Sequence, residues 1–241
     1  MPSIPRPSVT PPPRHVRAHI EDVWTIAAKD LRIEIRTREI VTTAGFFASL
    51  VAIMTSVAFS TGAATTTRIA PGAIWLSLAF SSVLALGRTW QRERDDGAMT
   101  GLLVTPIARA SLFLGKAIGV FVFVTAVELI VVPIVALLFH VALLEVAAPL
   151  AAVLVLGTIG VAATGTLFGA MTVRTRARDL VLATVLFPLL SPTLVSGVAA
   201  TREIFLGGGF SEIRDYMVLL STFDAVGLLG GIALFGALVD D

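Results

Sequence analysis

The chain has 241 residues, 56% hydrophobic and 15% charged, with a formal net charge of +1 and a mean hydropathy of +0.89. Average soluble chains carry about 25% charge, so this balance excludes an ordinary water-soluble domain and makes lipid the expected solvent. Cysteine is absent, which excludes disulfides, thiolate metal sites and a C-x-x-C-H haem attachment site in this sequence, and the near-neutral charge gives a nucleic-acid partner no support.

In chain order, the opening MPSIPRPSVTPPP is proline-rich and has no apolar core. It reads as a disordered tail over 1–13 and not as a cleavable signal; the remainder, 14–241, reads as one membrane domain. A helix is expected over 16–37, where Val16, Ile20, Val23, Ala27 and Leu31 follow a 4-3-4-4 spacing, with Trp24 and Ile35 at the margin of the stripe. Arg17, Glu21, Lys29, Arg32 and Arg36 lie elsewhere around the helix. An amphipathic helix with a basic polar face and a flanking tryptophan suits the membrane surface, where Trp24, Leu31 and Ile35 would enter the headgroup boundary. The alternative is a helix packed on cytosolic loops of the same chain.

Apolar runs follow. Residues 40–67, 69–87, 146–173 and 180–201 hold no Asp, Glu, Lys or Arg, and a helix needs about 20 residues to cross about 30 Å of hydrocarbon. The stretch 112–139 is equally apolar except for Lys116 near its start and Glu128 in its middle, and a last apolar run leads to the C-terminus. Six spans are expected, at 42–62, 70–90, 112–139, 149–171, 180–200 and 216–238. Of the 18 basic residues, seven precede the first span, five flank the second loop and three lie in the fourth, against Arg68, Arg202 and Arg214 in the other loops. That bias places both termini in the cytoplasm.

Lys116 reads as an anchor that snorkels to the interface at the start of the third span. Glu128 is the intramembrane acid the reading singles out, either as a functional polar contact or as a hydrogen-bonded structural one, with Pro133 freeing a backbone carbonyl nearby. His15, His19 and His140 are scattered and show no ligand spacing for a metal or haem. Small residues at four-residue spacing, Ala44, Ala48 and Ala52, Gly165 and Gly169, Gly227 and Gly231, predict close approach of helices in lipid.

The second loop, 91–109, runs through RERDD into GAMTGLLVTP. On a short helix Met99, Leu102 and Leu103 would share one side, an exposed apolar surface that implies a docking partner. Gly97 and Gly101 would let a partner's backbone come close, and Arg92 and Glu93, with Arg94, would orient the contact from its rim. The alternative is that the segment folds back on the membrane surface. The phosphate-binding pattern G-x-x-x-x-G-K-[ST] is missing, because Gly115-Lys116 is followed by Ala117 and lacks the first glycine. These features together look like half the membrane domain of an ATP-binding-cassette (ABC) transporter whose motor is a separate polypeptide: an all-α, permease-like bundle of six transmembrane helices preceded by an interfacial helix.

The segments AAKDLRIEIRTREIV, APGAIWLSLAFSSVLALGRTWQRERDDGAMTGLLVTPIARASLFLGKAI, VELIVVPIVALLF, GTIGVAATGTLFGAMTVRTRARDLVLATVLFPLLSPTLV and STFDAVGLLGGIALFGALVDD are similar, in order, to the haem exporter protein B (CcmB) family of cytochrome c maturation permeases. The resemblance implies a multi-pass subunit of the bacterial inner membrane with no nucleotide site of its own. ATP would be bound by a CcmA-like ATPase subunit, paired with this chain and a second copy of it. Haem would be handled mainly by a CcmC-like subunit with a CcmD-like small subunit, and hydrolysis would release the haem-loaded chaperone CcmE. The same residues leave open the permease of another ABC exporter, for lipid, polysaccharide or drug. An ATP-independent secondary transporter would call for further intramembrane polar sites or broken helices.

Overall fold

The computed structural model describes residues 16–59, 63–95, 107–172 and 178–240. Among the described residues the regular elements are seven α-helices: α1 (Val16–Thr37), α2 (Glu39–Ala58), α3 (Ala63–Asp95), α4 (Arg109–Leu138), α5 (Leu143–Thr172), α6 (Arg178–Phe205) and α7 (Arg214–Asp240). Stretches long and apolar enough to cross a membrane are Glu39–Ala58, Arg68–Gln91, Arg109–Leu138, Leu143–Ala170, Thr184–Phe205 and Arg214–Ala237. In lipid a helix satisfies its own backbone hydrogen bonds, which is why apolar runs of this length fold as helices and nothing else.

The helices run up and down between two ends. At one end, the foot, α1 lies against the start of α4, and Trp90, Phe113, Ala170 and Phe235 from α3, α4, α5 and α7 meet. At the far end the connections after α4 and α6 are short turns closed by backbone hydrogen bonds. After α6, Gly207 takes a left-handed φ of 94°, Gly208 N–H donates to Glu203 C=O at 2.9 Å, and Gly207 N–H donates to Ile204 C=O. This satisfies carbonyls the helix end would otherwise orphan. After α4, His140 fills the equivalent left-handed position at φ 53°, exposed, with Val141 N–H on Ala136 C=O at 2.9 Å. Beyond Gly207 the Glu212 carboxylate accepts from Ser211 Oγ and from Gly209 N–H, and these bonds hold its carboxyl below the usual carboxylate range.

Small residues make the bundle close. Ala44, Ala48 and Ala52 form the buried stripe of α2. Several glycines act as sockets for large side chains. A Cβ on Gly157 of α5 or Gly197 of α6 would overlap the Trp75 ring, one on Gly165 would overlap Leu86, and one on Gly231 would overlap Phe113. Trp75 is thereby sunk into the core, its Nε1–H donating to Thr201 Oγ1 at 2.9 Å.

Two sequence expectations are corrected here. Lys116 does not snorkel: its side chain is among the largest fully buried ones, because a counter-charge on α1 meets it. The stripe on α1 is divided between two environments, because one side of the helix is taken up by α4. Ile26, Ala27, Asp30 and Glu34 face the protein and are buried, whereas Ile20 and Trp24 are each 65% exposed and Ile35 is 73% exposed. Leu31 sits between, packed beside Ile40, Ala85 and Phe123. Helix α1 therefore turns Ile26, Ala27, Asp30 and Glu34 to the bundle and leaves Ile20, Trp24 and Ile35 exposed.

Candidate functional site

The foot is assembled from residues far apart in sequence. Asp30 Oδ2 lies 2.8 Å from Lys116 Nζ, Lys29 approaches the other oxygen at 3.5 Å, and about three turns earlier on α1 His19 Nδ1 and Ser111 Oγ are 3.3 Å apart. Glycine makes the approach possible: a Cβ on Gly115 would come within 2.7 Å of Ile26. A buried ion pair contributes little net stability after desolvation, but removing one partner leaves an uncompensated charge and costs about 3–5 kcal/mol. The pair is thus a clasp that fixes where α1 lies. Its continuation is Glu34, whose carboxylate accepts from Val41 N–H at 2.9 Å and so satisfies an orphan donor in the first turn of α2. Between the two helices Arg38 takes a left-handed φ of 52° and turns the chain.

Beneath the clasp is an aromatic cluster. Phe113 and Phe235 have ring centroids 5.6 Å apart, Trp90 and Phe235 6.5 Å, and Ile26 of α1 joins them with Leu112, Leu167 and Ala170. The chain leaves the described residues at Asp95, five positions after Trp90, and re-enters at Ile107, which packs on the same cluster. Gly97, Met99, Gly101, Leu102 and Leu103 lie outside the described residues. Arg92 and Glu93 belong to the last turns of α3, but their side chains are not among those described. Both flanks of the expected docking loop are therefore rooted in a cluster that also holds α1, α5 and α7.

Inside the bundle Glu128 is buried and accepts a hydrogen bond from Thr158 Oγ1 across the α4–α5 interface. Its neighbours Leu129, Val132 and Pro133 line, with Leu150, Ala151 and Leu154, an almost wholly apolar groove of about 330 Å³. A second acid, which the sequence reading does not single out, occupies α7: Asp224 is buried, and neither carboxylate oxygen has a hydrogen-bond partner among the described residues. A Cβ on Gly160 would stand 2.7 Å from its Oδ1 and 3.3 Å from Thr193 Oγ1. The signal was available as a lone aspartate inside the last apolar run. Thr158 and Gly160 are two residues apart, so α5 passes between the two acids. This arrangement can exchange hydrogen bonds between helices. Among the described residues no group of three metal-ligating side chains gathers, and His19, beside Ser111 at the start of α4, is far from His140 after its end.

Comparison with known proteins matches residues 21–238 to the CcmB protein family. Among the relatives is Heme exporter protein B of Paracoccus denitrificans, 34% identical over 155 residues, which are 63% of this chain and 70% of that protein. The Heme exporter protein B of Bradyrhizobium diazoefficiens is 25% identical over 181 residues, 74% of this chain and 80% of the relative. That of Escherichia coli K12 is 27% identical over 96 residues, 40% and 44% of the two chains.

Proposed function

The chain belongs to the CcmB protein family, and from that premise we propose that it is the membrane permease subunit of an ABC complex for haem export and cytochrome c-type biogenesis. The observation that carries this reading is the family match across residues 21–238, all six apolar spans included. The relatives' name, Heme exporter protein B, supplies the haem. A separate CcmA-like ATPase binds the nucleotide, two copies of each chain assemble, and a CcmC-like subunit with a CcmD-like one handles the haem. Hydrolysis releases haem-loaded CcmE on the outer side of the inner membrane. Both termini and the 91–109 loop are cytoplasmic, as the segregation of basic residues favours.

Met99, Leu102 and Leu103 enter a groove on the ATPase, with Gly97 and Gly101 admitting its backbone and Arg92 and Glu93 at the rim. The foot gives this docking a mechanical sense. A push on the loop reaches Trp90 and Ile107 first, and they share one cluster with residues of α1, α4, α5 and α7. Packed aromatic clusters transmit displacement because interiors have low compressibility, so the helices would move as a body.

The test is co-purification. Buried apolar anchors in interfaces cost about 2 kcal/mol or more when lost, whereas exposed ion pairs contribute at most about 1 kcal/mol. Leu102→Asp or Leu103→Asp should release the ATPase from detergent-solubilised membranes and abolish c-type cytochromes while haem-loaded chaperone accumulates. Arg92→Ala should weaken binding only slightly. Retention of the ATPase and of cytochrome c maturation in both leucine variants would overturn the docking assignment.

A further inference from the structure

At the elbow between α1 and α2 a groove of about 270 Å³ opens against α4. Ile35, Val41, Val122, Phe123 and Ala126 give it apolar walls, and Arg38 stands among the lining residues. Ile35 and Val122 are exposed, so the groove opens toward the surface that faces lipid. Its lining carries one carboxylate, Glu34, and one guanidinium, Arg38. The Glu34 carboxylate is turned onto Val41 N–H, and Glu39 is 3.3 Å from Arg88. Arg38 meets no carboxylate among the described residues, and Arg32 and Arg36 are exposed on the preceding turns of α1. An apolar groove with a guanidinium that meets no carboxylate, placed where an interfacial helix turns into a span, matches one chemistry: an acyl chain joined to a phosphate. Guanidinium and ammonium groups both bind phosphate by charge-assisted hydrogen bonds, and basic residues beside the membrane each favour anionic lipid.

We propose that this elbow binds one anionic glycerophospholipid, an acyl chain in the groove between α2 and α4 and the phosphate on Arg38. The bound lipid would complete the corner where the protein's own packing stops and fix the angle between α1 and the bundle. The site rests on α1 lying at the membrane surface and is independent of ATPase docking.

Native mass spectrometry of the full chain, released from bilayers of phosphatidylglycerol and phosphatidylcholine with matched acyl chains, tests it. The wild type should retain one phosphatidylglycerol in preference to phosphatidylcholine. Arg38→Asn removes the cation while tolerating the left-handed backbone, and should lower that preference about fivefold. Arg38→Lys should keep most of it. Ala126→Trp fills the groove and should abolish retention of both lipids. Circular dichroism checks that each variant is folded, and should Ala126→Trp not fold, the contrast between the two Arg38 variants decides. A wild type without preference, a preference unchanged in Arg38→Asn, or equal loss in Arg38→Asn and Arg38→Lys would each overturn the proposal.

Discussion

Asp30 and Asp224 are both aspartates buried at helix interfaces, exposed by 7% and 5%, yet their surroundings differ. Asp30 sits where α1 crosses α4 and meets the buried ammonium of Lys116 at 2.8 Å. Asp224 faces Gly160 and Thr193 and has no hydrogen-bond partner among the described residues. The first acid is held in a geometry made for its charge; the second occupies a gap left by a glycine. What differs is therefore the cost of perturbing each: breaking a pair strands a charge, while changing an acid that already lacks a partner removes little.

Lys116→Met should have the largest effect. Leaving Asp30 with only the exposed Lys29 at 3.5 Å should cost up to about 3–5 kcal/mol and free α1, read as a lower melting temperature in detergent and faster proteolysis within residues 16–37. Asp30→Asn combined with Lys116→Met should recover most of the loss, and a double variant no better than the single one would show that the pair is not the clasp. Gly160→Ala comes next: forcing a methyl against Asp224 and Thr193 should cost about 1–3 kcal/mol by overpacking, and a neutral result would mean that α7 yields freely there. Thr158→Val removes the donor to Glu128 and leaves a buried acceptor unsatisfied, at about 1–3 kcal/mol; in Glu128→Leu the loss on adding Thr158→Val should be smaller, since no acceptor is left without its donor. The smallest change is expected for Asp224→Asn, within about 1 kcal/mol of wild type. A loss as large as that of Lys116→Met would show that Asp224 has a partner outside the described residues and would dissolve the contrast.

The same contrast shows what could be read in advance. Six apolar runs give six spans, and the glycine and alanine repeats mark faces that do meet, because both signals are local and lipid leaves helices no alternative. Gly207 announces its turn, whereas His140 and Arg38 take left-handed positions without a compositional sign. Glu128 stands out as an acid in an apolar run; its Thr158 partner, 30 residues on, does not. That residues 97–103 dock a partner is an expectation from their spacing; they lie outside the described residues, and the structure adds only what their flanks are rooted in.

By itself, then, the sequence determined that the chain lives in lipid, how many times it can cross, and which helix is amphipathic, since solvent preference and helical period are properties of short stretches. Only the tertiary structure decided that Lys116 is a buried partner and not a surface anchor, because Asp30 lies 86 residues away and burial depends on which helix covers a residue. It also decided that Trp75 reaches Thr201 across 126 residues through sockets on two other helices, and that one acid on α7 has no partner in view. Desolvation makes such pairings compulsory, but which residues meet is set by packing, and packing is a property of the whole bundle.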